Sequence, residues 1–210
     1  LVYTFLFLYN KEHFENFFLK LYEEKERAKV KDILSKITSV SQQYLTGRAK
    51  SMVILAVLYA IGLLIIGIKN ALLLAGIAAL LTIIPYVGPF LGGLFPVLMA
   101  LVTEDSVQPA LWVMGLLFLI QTIDNYFVEP NVIGSEVNLN AQATIVTVIG
   151  GGLIWGVAGM VLFIPMLSIT KIIFDHIEEL HPYGYILGDH ERKSKSKVRK
   201  WIENKFKRKS

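Results

Sequence analysis

One carboxylate and two amides lie near the end of an apolar segment of this chain. Asp124 and Asn125 follow the uncharged run 107–123, and Gln121 lies about one helical turn earlier on the same face. An ionisable group inside a membrane span is costly and marks a functional candidate. Asp124 is therefore predicted to bind a cation or carry a proton in a pathway that includes Asn125, Gln121 and Glu129. In the alternative, Asp124 is wetted at the membrane surface, near Glu129, and simply ends the helix.

Glycine and proline interrupt two further uncharged stretches and are also candidates for the pathway. A proline leaves an upstream backbone carbonyl without its donor. Such carbonyls, together with half-helix ends, can coordinate a cation or a polar substrate in transporters. The alternatives are a tight turn at the first break and close helix packing at the second. The candidates are Pro85, Gly88 and Pro89 in the first stretch, and Gly150, Gly151 and Gly152 in the second.

The two uncharged stretches have lengths that do not fit single membrane spans. They cover residues 70–103 and 137–170, and each would be roughly 51 Å long as one helix. The hydrocarbon core of a bilayer is only about 30 Å thick. Because broken backbone at that depth persists only when it is buried in protein or lines a cavity, we predict two broken hairpins, re-entrant or short.

Composition places the chain among membrane proteins. Hydrophobic residues make up 54% of it, the mean hydropathy is +0.53, and Lys69 is the only basic residue between 51 and 170. There is no cysteine, so disulfides and thiolate metal sites are excluded. Signatures of serine hydrolases, zinc proteases and P-loop enzymes are also absent from the sequence. We therefore expect no enzyme activity, no metal site and no cofactor.

The fold class predicted from these patterns is all-α, a polytopic helical membrane protein. Residues 10–50 show apolar stripes at helical spacing, which indicate two amphipathic helices outside the membrane core. Loops are expected at 104–106 and 129–140, and a turn at 181–184. The predicted segments are 1–9, the end of a truncated transmembrane helix; 10–50, a cytoplasmic amphipathic segment; 51–180, a transport domain (span 51–68, hairpin 70–103, span 107–126, hairpin and Pro165-kinked helix 137–175); and 181–210, a basic cytoplasmic tail.

Lys and Arg are concentrated in residues 10–50 and 190–210. The positive-inside rule therefore places both segments, and the C-terminus, on the cytoplasmic side. The order span, hairpin, span, hairpin then gives the two halves opposite orientations. That order leads to the hypothesis of an inverted-topology repeat. Secondary transporters commonly bind their substrate at the interface between two such repeats.

The basic tail and several small residues receive further assignments. Basic residues beside apolar anchors suit an anionic lipid surface. Nucleic acid would need the same charge, but lipid is the simpler partner for a membrane protein, and a disordered topogenic tail is the alternative. Lys200, Trp201, Lys205 and Phe206 are assigned to lipid contact, and Gly92, Gly93, Gly156, Gly159 and Pro165 to helix packing.

These motifs, in this order, resemble the autoinducer-2 exporter family, the PerM-like permeases, almost throughout the chain up to about Ile173. Asp124 stands where a Glu is expected most often in that family, which keeps a carboxylate on a shorter arm. The resemblance rests on Tyr9-Asn10, the segment Ile84–Gly92 with Pro85, Gly88 and Pro89, Gln121…Asp124-Asn125…Glu129-Pro130…Gly134, Val137-Asn138-Leu139, and Gly150-Gly151-Gly152…Gly156-Val157-Ala158-Gly159…Pro165.

The resemblance implies a multi-pass protein of the bacterial inner membrane that forms homo-oligomers, with the pentamer as one form. It also implies export of the small polar signal autoinducer-2 or exchange of sodium or lithium for protons. Our interpretation is a secondary transporter or permease with Asp124 as the ion or proton carrier. The alternative is a non-transporting membrane scaffold that binds partners through residues 10–50 and the tail. An intramembrane enzyme ranks third, because an aspartyl protease needs a second membrane aspartate.

Overall fold

The computed structural model describes residues 9–132 and 139–189, and all regular structure in these ranges is helical. The predicted all-α class is thereby confirmed. Three helical segments are long and apolar enough to cross a membrane: Arg27–Ile66, Gln108–Val132 and Ala141–His176. The helices are α1 (Lys11–Lys20), α2 (Arg27–Ile66), α3 (Ala71–Leu81), α4 (Val87–Thr103), α5 (Gln108–Ile123), α6 (Glu129–Val132), α7 (Ala141–His176) and α8 (His181–Leu187).

Helix α2 has 40 residues, which gives it a length of roughly 60 Å. Its first half is charged and its second half, from about Ser51, is apolar. The sequence predicted a boundary at residue 50, but the helix continues through it, because no proline between 27 and 66 interrupts its hydrogen bonds. It ends at Gly67, which takes the left-handed conformation (φ 87°) and donates its N–H to the carbonyls of Leu63 and Leu64.

Helices α3 and α4 form a pair joined by residues 82–86. The predicted break at 85–89 therefore lies slightly too late, since Val87, Gly88 and Pro89 already form the first turn of α4. A proline is tolerated there because first-turn N–H groups have no helical partner. The chain enters α4 through Tyr86, whose φ of 63° is unusual for a bulky side chain.

Small residues let α3 and α4 approach closely. Gly88, Gly92, Pro96 and Ala100 recur every four residues along α4 and are all buried. A methyl group added at Gly92 would lie 2.8 Å from the carbonyl oxygen of Ala78 in α3, which leaves no space for a side chain. With 11 residues, α3 is about 16 Å long, roughly half the thickness of a bilayer core.

The acidic loop predicted at 104–106 separates α4 from α5, and α5 follows the predicted apolar run closely. At its end the chain forms a π-helical turn, Asp124–Val128, and then α6. The polar loop predicted from 129 therefore begins as helix up to Val132. The remainder of that loop up to residue 138, including Gly134, lies outside the described residues.

Helix α7 is bent at Gly156, where φ is 62° and ψ is −142°. The sequence predicted the break at Gly150–Gly152, but those residues are helical. Pro165, predicted to kink the chain, lies in helical backbone and is buried. Glycine adopts a positive φ far more readily than other residues, which explains why the residue at the bend is a glycine.

The two arms of α7 fold back on each other across this bend. The backbone of Gly151 contacts the backbone of Gly159, and the rings of Trp155 and Phe163 meet edge to face with centroids 6.3 Å apart. These pairs would be well over 10 Å apart along a straight helix. The bend therefore divides the 36-residue helix into two shorter segments.

The C-terminal part differs from the sequence prediction. Residues 181–184 begin helix α8 rather than a turn, with Pro182 in the first turn. Asn140 caps α7 by accepting a hydrogen bond from the N–H of Ala143, and its own N–H donates to the carbonyl of Leu187 in α8. The tail from 190 and the predicted helix end at 1–8 lie outside the described residues.

The core of the helical bundle is apolar, and so is much of its surface. One buried cluster joins α2, α3, α4 and α5, and a second joins α2 to both arms of α7. Large apolar side chains such as Ile65, Val102, Phe118 and Leu153 are 77–85% exposed. A soluble monomer rarely exposes so much apolar surface, which fits a protein surrounded by lipid.

Candidate functional site

A cavity of about 700 Å³ opens between α2, the loop that joins α3 to α4, the end of α5, and α7. Several of the side chains that line it are polar or charged. Its lining comprises Tyr44, Arg48, Tyr59, Pro85, Tyr86, Pro89, Phe90, Leu117, Phe118, Gln121, Asp124, Asn125, Glu129, Leu139, Ala141, Thr144, Ile164 and Asp189.

One face of α2 supplies a buried stripe beside this cavity. Tyr44, Arg48, Ser51, Leu55 and Tyr59 follow each other at intervals of three or four residues, so they lie above one another on the helix. All are at most 7% exposed. The stripe changes from polar to apolar towards Tyr59 and thus extends from the charged half of α2 into its apolar half.

Asp124 faces this stripe and is only 4% exposed. Its Oδ1 accepts a hydrogen bond of 3.3 Å from the hydroxyl of Ser51. The helix does not end at Asp124, because the π-helical turn continues it.

Arg48 supplies the positive charge nearest to Asp124. The two charges interact electrostatically, but they form no direct ion pair. The ion pairs within the described residues are Lys36 with Asp32 and Lys171 with Asp175, away from the cavity. Glu129 and Asp189 also line the cavity, so its formal charge is negative.

The π-helical turn changes which side chains share a face. In an α-helix, residues five apart are separated by about 1.4 turns and point in different directions. Here the N–H of Glu129 donates to the carbonyl of Asp124, five residues earlier, and the wider turn brings both carboxylates to the cavity. Such turns are frequent at functional sites.

Two buried polar atoms beside the cavity lack a hydrogen-bond partner within the described residues. They are the hydroxyl oxygen of Tyr44 and the Nε of Arg48. Leaving a buried donor unpaired costs about 1–3 kcal/mol, and more for a charged group. Within residues 9–132 and 139–189, no three carboxylate, imidazole or thiol groups come close enough together to bind a metal ion.

The structure brings together six of the predicted pathway residues and separates the others. The cavity is lined by Pro85, Pro89, Gln121, Asp124, Asn125 and Glu129, and Gln121 Nε2 donates to Asn125 Oδ1 at 3.0 Å. Gly88 does not line it, because it is packed against the backbone of Leu81. Gly150, Gly151 and Gly152 do not line it either, because they lie within the first arm of α7.

The residues assigned to helix packing also divide. Gly92 meets Ala78, Gly93 faces Leu117, and Gly159 meets Gly151. Gly156 has open space around it and serves the bend instead. The predicted lipid-contact residues Lys200, Trp201, Lys205 and Phe206 lie outside the described residues.

The sequence prediction missed the contribution of α2. Tyr44, Arg48, Ser51 and Tyr59 were absent from the predicted site because the first two were assigned to a segment outside the membrane core. A signal existed, since polar residues at 44, 48 and 51 continue in helical register into the apolar run. Because α2 is one unbroken helix, these residues all lie on the same face, and this could be seen only in the structure.

The chain is similar in sequence to proteins that are named for transport. Residues 1–179 match the model of the AI-2E family transporter. The chain is 30% identical to YueF of Bacillus subtilis, named as a candidate transport protein, over 84% of this chain and 47% of YueF. It is 27% identical to YrrI of the same organism over 63% of this chain and 37% of YrrI. A third relative, from Methanothermobacter thermautotrophicus and also named for transport, is 26% identical over 74% of this chain and 46% of its own length.

The chain thus spans less than half the length of each of these relatives. Its apolar helices and its family together identify a multi-pass membrane protein. On the extent of the family match, the chain belongs to the AI-2E transporter family.

Proposed function

We propose that this protein is a secondary transporter that moves a small polar solute or a monovalent cation through the cavity, with Asp124 as the ion or proton carrier. One observation carries the proposal: a carboxylate that is 4% exposed lies beside a cavity of about 700 Å³ in a bundle of membrane-spanning length. Charged groups inside spans are expensive and usually mark ion or substrate paths. The relatives named for transport support this class of function.

Further parts of the proposal follow the family. The transported species is an autoinducer-2-like signal molecule, or sodium or lithium in exchange for protons. The protein works as a homo-oligomer in the bacterial inner membrane, with the tail from 190 on the cytoplasmic side and in contact with lipid. The charged first half of α2 supports this orientation by the positive-inside rule.

The role of Asp124 is tested by flux through the full-length protein in proteoliposomes, with autoinducer-2 and sodium assayed side by side. Asp124→Asn removes the charge and keeps the size of the side chain, so we expect ion-coupled flux to fall to background. Asp105→Asn is the matched control, because Asp105 is exposed in the loop between α4 and α5. Coupled flux that survives in Asp124→Asn would remove this carboxylate from the mechanism.

A further inference from the structure

The two unpaired donors beside the cavity point to a specific occupant. Arg48 is 7% exposed and Tyr44 is 4% exposed, and both side chains line the cavity. Arg48 Nε and the Tyr44 hydroxyl have no partner within the described residues. Because the two residues lie one turn apart on the same face of α2, both donors are presented to the same part of the cavity.

Asp124 supplies a hydrogen-bond acceptor near these donors, opposite the next turn of α2. Its Oδ1 accepts from Ser51, whereas Oδ2 forms no hydrogen bond within the described residues. Ser51 follows Arg48 by three residues on α2, a rise of about 4.5 Å. The cavity therefore presents two donors and one acceptor within the length of a small molecule.

We infer that Tyr44 and Arg48 bind an oxygen acceptor of the transported solute while Asp124 accepts from a donor group of the same solute. This inference rests on the proposed function and narrows its substrate to compounds that carry both kinds of group, as neutral polyols and zwitterions do. A simple anion would offer no donor to Asp124 Oδ2 and would lie beside two further carboxylates that line the cavity. A simple cation would offer no acceptor to the Tyr44 hydroxyl or to Arg48 Nε, so both donors would stay without a partner.

For such a solute to reach the two donors, the side chains that cover them must part. Both unpaired atoms are covered by neighbouring atoms, and neither forms a hydrogen bond within the described residues. Parting of the side chains therefore breaks no hydrogen bond at either atom, and acceptor oxygens of an entering solute can pair with both. Binding recovers free energy that the empty site lacks, since a buried unpaired donor is costly.

Equilibrium binding of radiolabelled solutes to the purified full-length protein tests the inference. Glycerol is the neutral polyol, alanine the zwitterion, propionate the acceptor-only anion and propylammonium the donor-only cation, all with three carbons. We expect glycerol or alanine to bind at least about tenfold more tightly than the last two, and which of them binds identifies the solute type. Equal or tighter binding of propionate or propylammonium, or no binding of glycerol and alanine, overturns the inference.

Variants at the two donors test the residues themselves. Tyr44→Phe removes only the hydroxyl, and Arg48→Lys keeps the charge but removes Nε. We expect each variant to weaken binding about tenfold, which corresponds to about 1.4 kcal/mol. Tyr183→Phe is the matched control, because that side chain is 58% exposed and packs against Phe174 outside the cavity. Unchanged affinity in both Tyr44→Phe and Arg48→Lys, in protein that elutes as folded material, contradicts the inference.

Flux separates failure of this inference from failure of the proposed function. If Asp124 is needed for sodium flux while Tyr44→Phe changes neither binding nor flux, the transporter proposal stands and the solute site is wrong. If polyol or zwitterion binding depends on Tyr44 but no solute crosses the membrane, the site stands and the transporter proposal fails.

Discussion

The close contact between the arms of α7 makes the stability of this protein sensitive to one methyl group at Gly151. In Gly151→Ala the new methyl carbon would lie 2.5 Å from the carbonyl oxygen of Gly159 and 3.0 Å from Cγ of Phe163. The nearest obstacle is backbone, which cannot rotate away as a side chain can. The two arms must therefore move apart.

The size of the effect follows from this displacement. An ordinary carbon–oxygen contact requires a shift of the arms of the order of 1 Å, and such a gap forfeits a quarter to a half of each dispersion contact it opens. Overpacking of this kind costs about 1–3 kcal/mol. The neighbouring change Gly150→Ala meets nothing within 4 Å and gains up to about 1 kcal/mol of helix propensity. The two variants should thus differ by about 2–4 kcal/mol.

Thermal unfolding of the purified protein in detergent measures this difference. About 2–4 °C per kcal/mol is typical for chains of this size, so Gly151→Ala should unfold roughly 5–15 °C below Gly150→Ala. Trp155 packs edge to face on Phe163 across the bend, so its fluorescence reports the separation of the arms once Trp112 and Trp201 are replaced by Phe in both variants. Equal stability of the two variants, with unchanged Trp155 fluorescence, would refute the folded-back arrangement of α7.

Three further changes separate backbone strain, packing and polar burial by the same unfolding assay. Gly156→Ala has open space around it but keeps a positive φ, so strain alone should cost about 1–3 kcal/mol; a neutral result would contradict the bend. Gly88→Ala clashes with the backbone of Leu81, whereas Gly76→Ala meets nothing, so the first should be the less stable by at least about 1 kcal/mol; the reverse order would disprove close packing of α3 on α4. Tyr44→Phe removes a buried unpaired hydroxyl and should leave stability unchanged or raise it by about 1 kcal/mol; a large loss would reveal a partner for that hydroxyl.

The sequence was sufficient to predict the features that depend on the length of an apolar run or on an isolated charge. The uncharged run before Asp124 predicted α5 almost to the residue, because sixteen apolar and neutral residues can form only a span or a core helix. Asp124 stood out for the same reason, as an isolated carboxylate at the end of such a run. Pro85 marked the first break, because proline lacks the N–H that a helix interior needs, whereas Pro89 lies in the first turn of α4.

The position of the bend in α7 could not be assigned from sequence in the same way. A run of three glycines favours a break by intrinsic conformational freedom, yet Gly150–Gly152 are helical and the bend lies at Gly156. The contact of Gly151 with Gly159 decides where the bend lies, because this packing stabilises the helical conformation of Gly150–Gly152. That contact joins residues on different arms and leaves no local pattern in the sequence.

The position of the candidate site depends on two features of helix register that act together. The unbroken α2 carries Arg48 and Ser51 on one face into the apolar part of the bundle, and the π-helical turn brings Glu129 onto the face of Asp124. Without the first, Arg48 would lie outside, and Asp124 would be buried without a counter-charge. Without the second, Glu129 would point away from the cavity. Neither feature changes composition or hydropathy. The membrane spans could therefore be predicted from the sequence, whereas the arrangement of charges at the site could not.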